Sequence, residues 1–528
     1  MTVYVPETFT PDERRILERY VTNLDGPVFA LVNLPEVVKG ALFARYSRSP
    51  KSLRRLLLDE FAADLDPDAA VTATRSRRAD ELYEKVFVEY GDDSVAQLGG
   101  VHLACEQASN VLTKVLEWGR LASYLEQSTR YIAYDQRIAG RYRYHRDPEI
   151  LSGPLGTRYV GDMDRMFDAY SSMLAAVTDH VRRTVPRTEG DSDFVWRQAT
   201  RAKALDAVRG ALPAAALSNL GIYASGQAYE ALLLRMRAHH LPEARAYAEL
   251  MLAELRKVIP SFLRRVDIAE RGGAWSEYLA QTRTETLRLV DEELGDVPPE
   301  DAPEVRLVDH DPDAEHKVLT AICYPHTDLP EPQLEARVRA MDAATRAAIL
   351  RAYVGDRANR RHRPGRAFER VSYRFDVLGD YGAFRDLQRH RLLTIEWQRL
   401  TPHHGYVVPD LVHDAGQGDA FAETMQRSAD LYESLMVRHP RQAAYAVSMA
   451  HRLRYSMQFN LREAMHLIEL RSSPQGHPSY RRVAIEMHRQ IAEVAGHRAL
   501  AATMSHLTTE APELERLEAE RRAEARRQ

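Results

Sequence analysis

The chain has 528 residues, 45% of them hydrophobic and 28% charged, and its formal net charge is −4 at pH 7. This charge excludes a general electrostatic affinity for nucleic acid or an anionic membrane, and the length predicts two domains. The two cysteines, Cys105 and Cys323, exclude a disulfide framework and predict a reducing, cytoplasmic location. The sequence has neither a signal-peptide pattern nor about 18 consecutive apolar residues, so it predicts no membrane partner.

The first elements along the chain have helical patterns. Thr10 is a candidate N-cap, with Pro11 at the first position of a predicted N-terminal helix. Residues 94–127 carry apolar residues at helical spacing and are predicted as helix. Residues 243–265 predict an amphipathic helix that Pro260 ends or kinks.

Residues 291–305 are acidic and rich in proline, which is typical of a linker. We therefore predict a first domain at 1–290, with its core at about 30–270, and a second at 306–528. In the second domain, residues 303–311 and 317–324 are ambiguous, whereas residues 368–379 alternate apolar and polar as a half-buried strand does. Residues 511–528 are charged on nearly every face and predict a solvated tail.

Arg389, His390 and Arg391 form a basic triplet in an otherwise apolar stretch. On a helix, three successive side chains point in different directions, so two could reach different groups of a ligand. Arginine suits phosphates and carbonyl-rich rings because its planar fork donates several hydrogen bonds at once. A solvated helix face with ordinary ion pairs is the alternative interpretation.

A second group follows downstream and comprises Asn460, Arg462, His466 and Arg471. On one helix, Asn460 and Arg471 would lie on nearly the same side, three turns apart. Glu463 and His466 form a Glu-x-x-His pair, which is half of a di-iron signature, but this half of the chain has no second copy, so no metal is predicted.

A third group lies upstream in EQSTRY, where Glu126, Ser128 and Arg130 alternate with other residues. The spacing suggests a chain that leaves a helix for an extended segment. A hydroxyl and a guanidinium two residues apart can hold one phosphate together. A helix C-terminal cap with surface charges is the alternative. In both halves of the chain, a leucine-rich helical segment that contains arginine comes after such a motif. This repeated order indicates domain duplication.

These groups resemble the flavin-dependent thymidylate synthase family, whose members carry the motif R-H-R-x-x-S-x-x-x-x-S-x-R and a downstream N-x-R-x-x-x-H/N-x-x-x-x-R helix. The second half matches the triplet and the downstream helix, but Thr394, Arg399 and Thr401 stand where the two serines and the final arginine are expected. Asp386 replaces a glutamine before the triplet. Upstream, Glu369 is in register, whereas Pro364 replaces a histidine.

The first half is the complement of the second. Trp118, Gly119 and Arg120 replace the triplet, and the rest of the motif follows in register at Ser123, Glu126, Ser128 and Arg130. Arg209 precedes GALP, which resembles an arginine-to-proline segment of the family, and Arg235 lies in LLLR. Ala224 and Gly226 replace the asparagine and the arginine of the downstream helix.

The resemblance implies an α+β fold with two tandem copies of a helix-rich domain with a small sheet, over about residues 30–270 and 304–505. It implies one composite inter-domain site for reductive methylation of dUMP, with FAD as cofactor and NADPH and methylenetetrahydrofolate as co-substrates. A homodimer would be equivalent to the family tetramer. The alternatives are a non-catalytic or divergent paralogue that binds FAD or nucleotide, and flavin-dependent one-carbon transfer to another pyrimidine nucleotide.

The resemblance also assigns roles to residues of this chain. The catalytic residues that it implies are Arg389 and Arg471. The flavin-binding residues that it implies are Glu369, Arg389, His390, Arg391, Asn460, Arg462 and His466. The nucleotide-binding residues that it implies are Glu126, Ser128, Arg130, Arg209, Arg235 and Arg471.

Overall fold

The structure, a computed structural model, describes residues 4–34, 42, 46, 49–61, 100–188 and 192–510. The chain divides into two compact units, each made of three segments. The first unit comprises Met1–Val177, Ala204–Pro299 and Val408–Ser448, and the second comprises Thr178–Lys203, Glu300–Val407 and Met449–Gln528. The domain limits at 290 and 306 stay a prediction from the sequence.

The first unit contains an antiparallel sheet in the order β1-β2-β4-β3. Its strands are β1 (Val28–Leu31), β2 (Gly100–Ser109), β3 (Ala122–Glu126) and β4 (Leu217–Ser225). The central strand β2 is almost wholly buried, and Arg54 lies in the same core with its guanidinium 3.8 Å from the ring centroid of Phe29.

Helices surround this sheet. Among the residues that the structure describes, the α-helices of the first half of the chain are Pro11–Leu17, Leu53–Leu56, Asn110–Leu116, Pro148–Ser152, Gly156–Thr184, Asp193–Val208, Gly226–Arg237, Pro242–Leu255 and Ala274–Leu294. Gly156–Thr184 and Asp193–Val208 are each divided between the two units, and the second half contributes Asp410–Asp414 and Gly418–Arg438 to the first unit. Short 3-10 or π segments are Leu57–Phe61, Arg209–Ala211, Pro260–Asp267, Ala269–Gly273 and Ala443–Ala446.

The second unit contains an antiparallel sheet of the same topology, in the order β5-β6-β8-β7. Its strands are β5 (Val305–His310), β6 (Ser372–Asp380), β7 (Leu393–Trp397) and β8 (Arg452–Asn460). Its α-helices are Ala314–Cys323, Glu331–Ala340, Ala343–Val354, Tyr381–Leu387, Leu461–Arg471, Pro478–Glu493 and Arg498–Ala501, with 3-10 turns at Tyr324–His326 and Arg366–Glu369.

The repeat extends to the strand–helix junctions. In each sheet the two central strands run directly into helices, and the last strand residue is the N-cap whose side chain accepts a backbone N–H. These caps are Ser109 and Ser225 in the first sheet and Asp380 and Asn460 in the second. The predicted α+β fold with two tandem copies is therefore confirmed.

Several local predictions are also confirmed. Thr10 caps the first helix in a capping box with Glu13, and Pro11 is its first residue. The strand predicted at 368–379 is β6. Of the two ambiguous segments, 303–311 contains β5 and 317–324 lies mostly in the helix Ala314–Cys323.

In the part that the structure describes, the helix predicted over 94–127 is confirmed only at residues 110–116 and is wrong on either side. Residues 100–109 form β2, residues 110–116 form a two-turn helix, and residues 122–126 form β3. A central strand that is buried on both faces lacks the alternation that would reveal it, so helical spacing was matched by chance. The segment GDDSVAQL at 91–98 and the tail 511–528 both lie wholly outside the described residues. None of the described helices combines the length and the apolar character that crossing a bilayer requires.

Candidate active site

The basic triplet lies in the connection between the helix Tyr381–Leu387 and strand β7, not on a helix as predicted. The last backbone hydrogen bond of this helix runs from Gln388 N–H to the carbonyl of Phe384. Strand β7 then pairs with β8, with Leu393 opposite Phe459. The triplet is therefore held at both ends by regular elements, although it has no regular structure itself.

His390 is the buried centre of the triplet, with a relative exposure of 6%. Arg471 donates a hydrogen bond from Nε to His390 Nε2 at 2.9 Å. His390 Nδ1 lies 2.7 Å from a carboxylate oxygen of Glu463. The helix Leu461–Arg471 contributes both partners, so its two ends hold the two sides of one imidazole ring.

These contacts define the protonation of His390. Because Arg471 Nε can only donate, His390 Nε2 must accept, and we assign the proton to Nδ1, which donates to Glu463. Burial lowers the pKa of His390 to about 4, so the ring is neutral at pH 7. Burial raises the pKa of Glu463, but the hydrogen bonds from His390 and His466 outweigh it and lower that pKa to about 2.

His466 completes this cluster. Its Nδ1 lies 3.3 Å from both carboxylate oxygens of Glu463, and its ring lies 5.1 Å from that of His390. His390, Glu463 and His466 could in principle hold a metal ion by their spacing. However, a metal at Nδ1 of His390 would require an imidazolate while Nε2 accepts from Arg471, so the arrangement suits hydrogen bonding better.

Asp386, which replaces the family's glutamine, lies among arginines. One of its carboxylate oxygens is 3.5 Å from Nη1 of Arg389, and its carbonyl accepts from Nη2 of Arg471 at 2.5 Å. The negative charge of Asp386 is thereby offset locally. Burial lowers the pKa of Arg471.

Arg462 and Asn460 occupy the start of the same helix. Asn460 is its N-cap and accepts the N–H of Glu463 at 2.9 Å. Arg462 donates to the carbonyl of Pro364 at 2.9 Å and lies 3.6 Å from Glu369. Pro364, which replaces a family histidine, therefore contributes through its backbone.

The first unit holds a separate group around Arg130. This side chain makes a two-point ion pair with Asp206, with distances of 2.8 and 2.9 Å. Nε of Arg209 lies 3.7 Å from the same carboxylate. Two of the predicted nucleotide-binding arginines thus share one acid. The Oγ of Ser128 accepts the backbone N–H of Arg130 at 3.3 Å, which fixes the turn after β3.

The remaining predicted residues of the first unit lie in other contacts. Glu126, at the end of β3, is buried and accepts from Lys114 at 3.3 Å. Arg235 stacks over the ring of Trp118 with its guanidinium 3.9 Å from the ring centroid. Burial lowers the pKa of Arg235 to about 10, and its Nη2 has no hydrogen-bond partner among the described residues.

Three acids at the centre of these groups were not predicted as site residues. Glu463 was noticed only as part of a metal signature, and Asp386 only as a departure from the family. Asp206 gave one signal, its position three residues before Arg209, which places both on one helical face.

Several known proteins resemble this chain in sequence. The family described as "Thymidylate synthase complementing protein" matches residues 42–261 and 306–496. A UPF0159 protein of Chlamydia pneumoniae is 38% identical over 92% of this chain and 93% of its own length. A UPF0159 protein of Chlamydia muridarum is 37% identical over 98% and 99%, and one of Thermoplasma acidophilum is 32% identical over 91% and 97%.

Among solved structures, the UMP/dUMP methylase PolB from Streptomyces cacaoi, bound with 5-Br dUMP, covers 38% of this chain and 94% of its own. It is 20% identical, with a TM-score of 0.30. This likeness is too weak to support an inference about the present chain.

Proposed function

Since this chain belongs to the thymidylate synthase complementing protein family, we propose that it is a flavin-dependent thymidylate synthase, which methylates dUMP with methylenetetrahydrofolate and NADPH. The family is one of flavin-dependent thymidylate synthases. The observation that carries the proposal is the buried chain Arg471–His390–Glu463. It holds the centre of the triplet rigidly, so that Arg389 and Arg391 on either side are presented in a fixed direction.

The residues of the second unit fit a flavin by the chemistry of their donors. The side chains of Arg389, Arg462 and His466 are exposed by 33, 30 and 23%, so a ligand can reach them. A flavin ring has carbonyl oxygens and ring nitrogens on one edge, and its dinucleotide carries phosphates, which are the acceptors that arginines match. We propose that FAD is held by Glu369, Arg389, His390, Arg391, Asn460, Arg462 and His466. When bound, the flavin would supply the hydride.

The other roles follow from charge. Arg389 and Arg471 would stabilise the negative charge that develops on the pyrimidine ring during methylation. His390 would contribute to the flavin site by positioning Arg389 and Arg391 rather than by bonding the flavin through its ring nitrogens, since both nitrogens are already occupied by Arg471 and Glu463. The dUMP residues in the first unit would be Glu126, Ser128, Arg130, Arg209 and Arg235. Asp206 would orient Arg130 through their two-point contact.

Flavin content tests the cofactor assignment. The purified chain should be yellow, and Arg462→Ala should lose the flavin on desalting, as measured by absorbance. Arg489→Ala, which removes a half-exposed arginine paired with Glu486 on the helix Pro478–Glu493, should retain the flavin. The assignment would be contradicted if the purified parent protein were colourless and if the absorption spectrum of added FAD did not change in its presence.

Activity tests the reaction. The parent chain should rescue a thymidine auxotroph, and purified protein should convert dUMP to dTMP only when methylenetetrahydrofolate and NADPH are both present. Arg389→Ala should abolish rescue while the protein still folds, and Arg489→Ala should preserve it. Flavin binding without dTMP formation would favour a divergent paralogue.

The prediction that one pyrimidine site draws on both halves of the chain needs a separate test. Loss of one charged hydrogen bond to the phosphate should weaken binding about ten- to a hundred-fold. Arg130→Ala and Arg471→Ala should each weaken dUMP binding by this factor in calorimetric titration. The double variant should lose less binding free energy than the sum of the two single losses. Independent effects would contradict a shared site.

A further inference from the structure

The first unit contains a cavity of about 300 Å³ that none of the proposed flavin or dUMP residues lines. Glu106, Gln107 and Asn219, from strands β2 and β4, form part of its wall. The segment 141–146, with the sequence RYRYHR, provides another part. Amides, arginines and tyrosines therefore surround one small space.

A β-bulge shapes this wall. Cys105 pairs with Leu220 and Ala108 with Ser218, so two residues of β2, Glu106 and Gln107, face Asn219 alone. Gln107 adopts a positive φ of 59°, which residues other than glycine seldom do, and its N–H donates to Oδ1 of Asn219 at 2.9 Å. Bulges of this kind redirect side chains and are frequent beside binding sites.

The second sheet is built differently at the matching place. Strand β6 pairs with β8 from Ser372 to Asp380 without any register shift. Counted back from the N-caps Ser225 and Asn460, the counterparts of Leu217 and Asn219 are Arg452 and Arg454. Both are ion-paired, Arg452 with Glu304 at 3.3 Å and Arg454 with Asp376 at 2.5 Å. The bulge is thus particular to the first copy.

The charges at the cavity favour an anion. Lys51 and Arg55, which also line it, are neutralised by Asp59 and Glu7. Arg143 donates to a backbone carbonyl, that of Ala133, at 2.6 Å. Within the described ranges, neither Arg141 nor Arg143 has a carboxylate at ion-pair distance, and two guanidiniums two residues apart can share one phosphate.

The uncharged groups favour a planar ring. Gln127 donates from Nε2 to the carbonyl of Ser49 at 2.6 Å, which leaves its carbonyl oxygen to accept. Asn219 uses Oδ1 for Gln107 and keeps its amide hydrogens as donors. Donors and acceptors side by side match the edge of a nucleobase, and tyrosine rings suit stacking. The volume is at the lower end for ligand sites and suits a mononucleotide better than a dinucleotide.

We propose that this cavity binds a nucleoside monophosphate, separately from the proposed dUMP site. Arg141 and Arg143 hold the phosphate, and the amides of Gln127 and Asn219 contact the base, whereas the side-chain amide of Gln107 is held by the backbone of Val5. A pyrimidine such as the product dTMP and a purine such as AMP share this chemistry, and the experiment distinguishes them.

The test is calorimetric titration of the full chain carrying Arg130→Ala, which impairs the proposed dUMP site. AMP, dTMP and inorganic phosphate are titrated separately. We expect AMP or dTMP to bind once per chain and phosphate to bind far more weakly. Binding of dTMP would identify the ligand as a pyrimidine nucleotide, and binding of AMP would identify it as a purine nucleotide.

Two further substitutions in this background locate the ligand. Arg141→Ala should weaken nucleotide binding about ten-fold or more. The Arg141 side chain is exposed, so the variant should fold, and equal thermal midpoints of the variant and its parent would verify this. Asn219→Asp keeps the acceptor for Gln107 N–H, but it adds a negative charge at the wall and should weaken binding similarly. Arg288→Ala, on the exposed helix Ala274–Leu294, should have no effect.

Several results would overturn the proposal. These are absence of nucleotide binding at millimolar concentration, phosphate binding as tight as nucleotide binding, or unchanged affinity in both Arg141→Ala and Asn219→Asp. Restoring Arg130 should not alter the affinity for the cavity ligand; if it does, the nucleotide is in the other site. Because none of these measurements depends on flavin, failure of the proposed enzyme activity would leave them unchanged.

Discussion

Nε of Arg471 donates a hydrogen bond to Nε2 of His390 across 2.9 Å, although arginine and histidine are both commonly cationic. The contact is favourable because the histidine is neutral and its other nitrogen donates to Glu463. A relay of one cation, one neutral ring and one carboxylate therefore replaces a direct salt bridge. It joins the basic triplet to both ends of the helix Leu461–Arg471.

Arg471→Met should raise the pKa of His390 from about 4. Burial is the main cause of the low value, and the positive charge of Arg471 lowers it further, so removing that charge lets the ring accept a proton more readily. NMR titration of the histidine Cε1 protons would measure the shift. Arg489→Ala should leave this resonance unchanged, and an unaltered pKa in Arg471→Met would contradict the relay.

His390 should also make stability depend on pH. Its folded pKa of about 4 lies below the ordinary 6.5, so the folded state binds fewer protons between these values. Stability is then full above about pH 6.5 and is lost as pH falls towards 4, by on the order of 3 kcal/mol at most. Glu463, with a pKa of about 2 against an ordinary 4.5, acts only at lower pH.

Urea unfolding of the parent and of His390→Gln at several values from pH 4.5 to 7 would test this. The variant should show a shallower loss of stability in that range. His239 and His240, whose pKa values burial lowers to about 3 and about 4, titrate in the same window, so the difference between the two proteins is the measure. His326→Gln, on the surface, should keep the slope of the parent. Equal slopes for His390→Gln and the parent would contradict the prediction.

Much of this architecture could be predicted from local patterns in the sequence. Thr10, Pro11 and Glu13 form a local capping pattern, and the alternation around Phe375 is a local strand pattern, so both could be predicted from neighbouring residues. The order of motifs in the two halves predicted the duplication, because family motifs keep their spacing even where individual residues change.

The features that could not be predicted from the sequence depend on long-range packing. Strand β2 was mistaken for a helix because its burial comes from partners more than a hundred residues away, such as Leu220 opposite Cys105. The neutral state of His390 depends on Glu463 and Arg471, which are 73 and 81 residues distant. The bulge at Gln107 depends on Asn219 and has no local signature. Such features follow from tertiary contacts, which a single sequence does not specify.

Asp206→Ala should destabilise the first unit. Its carboxylate accepts two hydrogen bonds from Arg130 and lies 3.7 Å from Arg209, whose side chain is only 4% exposed. Removing the acid leaves two partly buried positive charges close together, at a cost of about 1–3 kcal/mol. Chemical denaturation would measure this, with Asp193→Ala, an exposed acid paired with Arg197, as the control. Equal stability of the two variants would contradict the expected role of Asp206.

The two cysteines should differ sharply in reactivity. Cys105 lies in β2 with no exposed surface, and burial raises the pKa of its thiol. Cys323 ends the helix Ala314–Cys323 and is partly exposed, although burial raises the pKa of its thiol as well. A thiol reagent attacks the exposed thiolate, so the native chain should take up one label, at Cys323, and a second only on unfolding. Cys323→Ser should then remain unlabelled until it unfolds. Rapid labelling of Cys105 in native Cys323→Ser would contradict its place in a buried central strand.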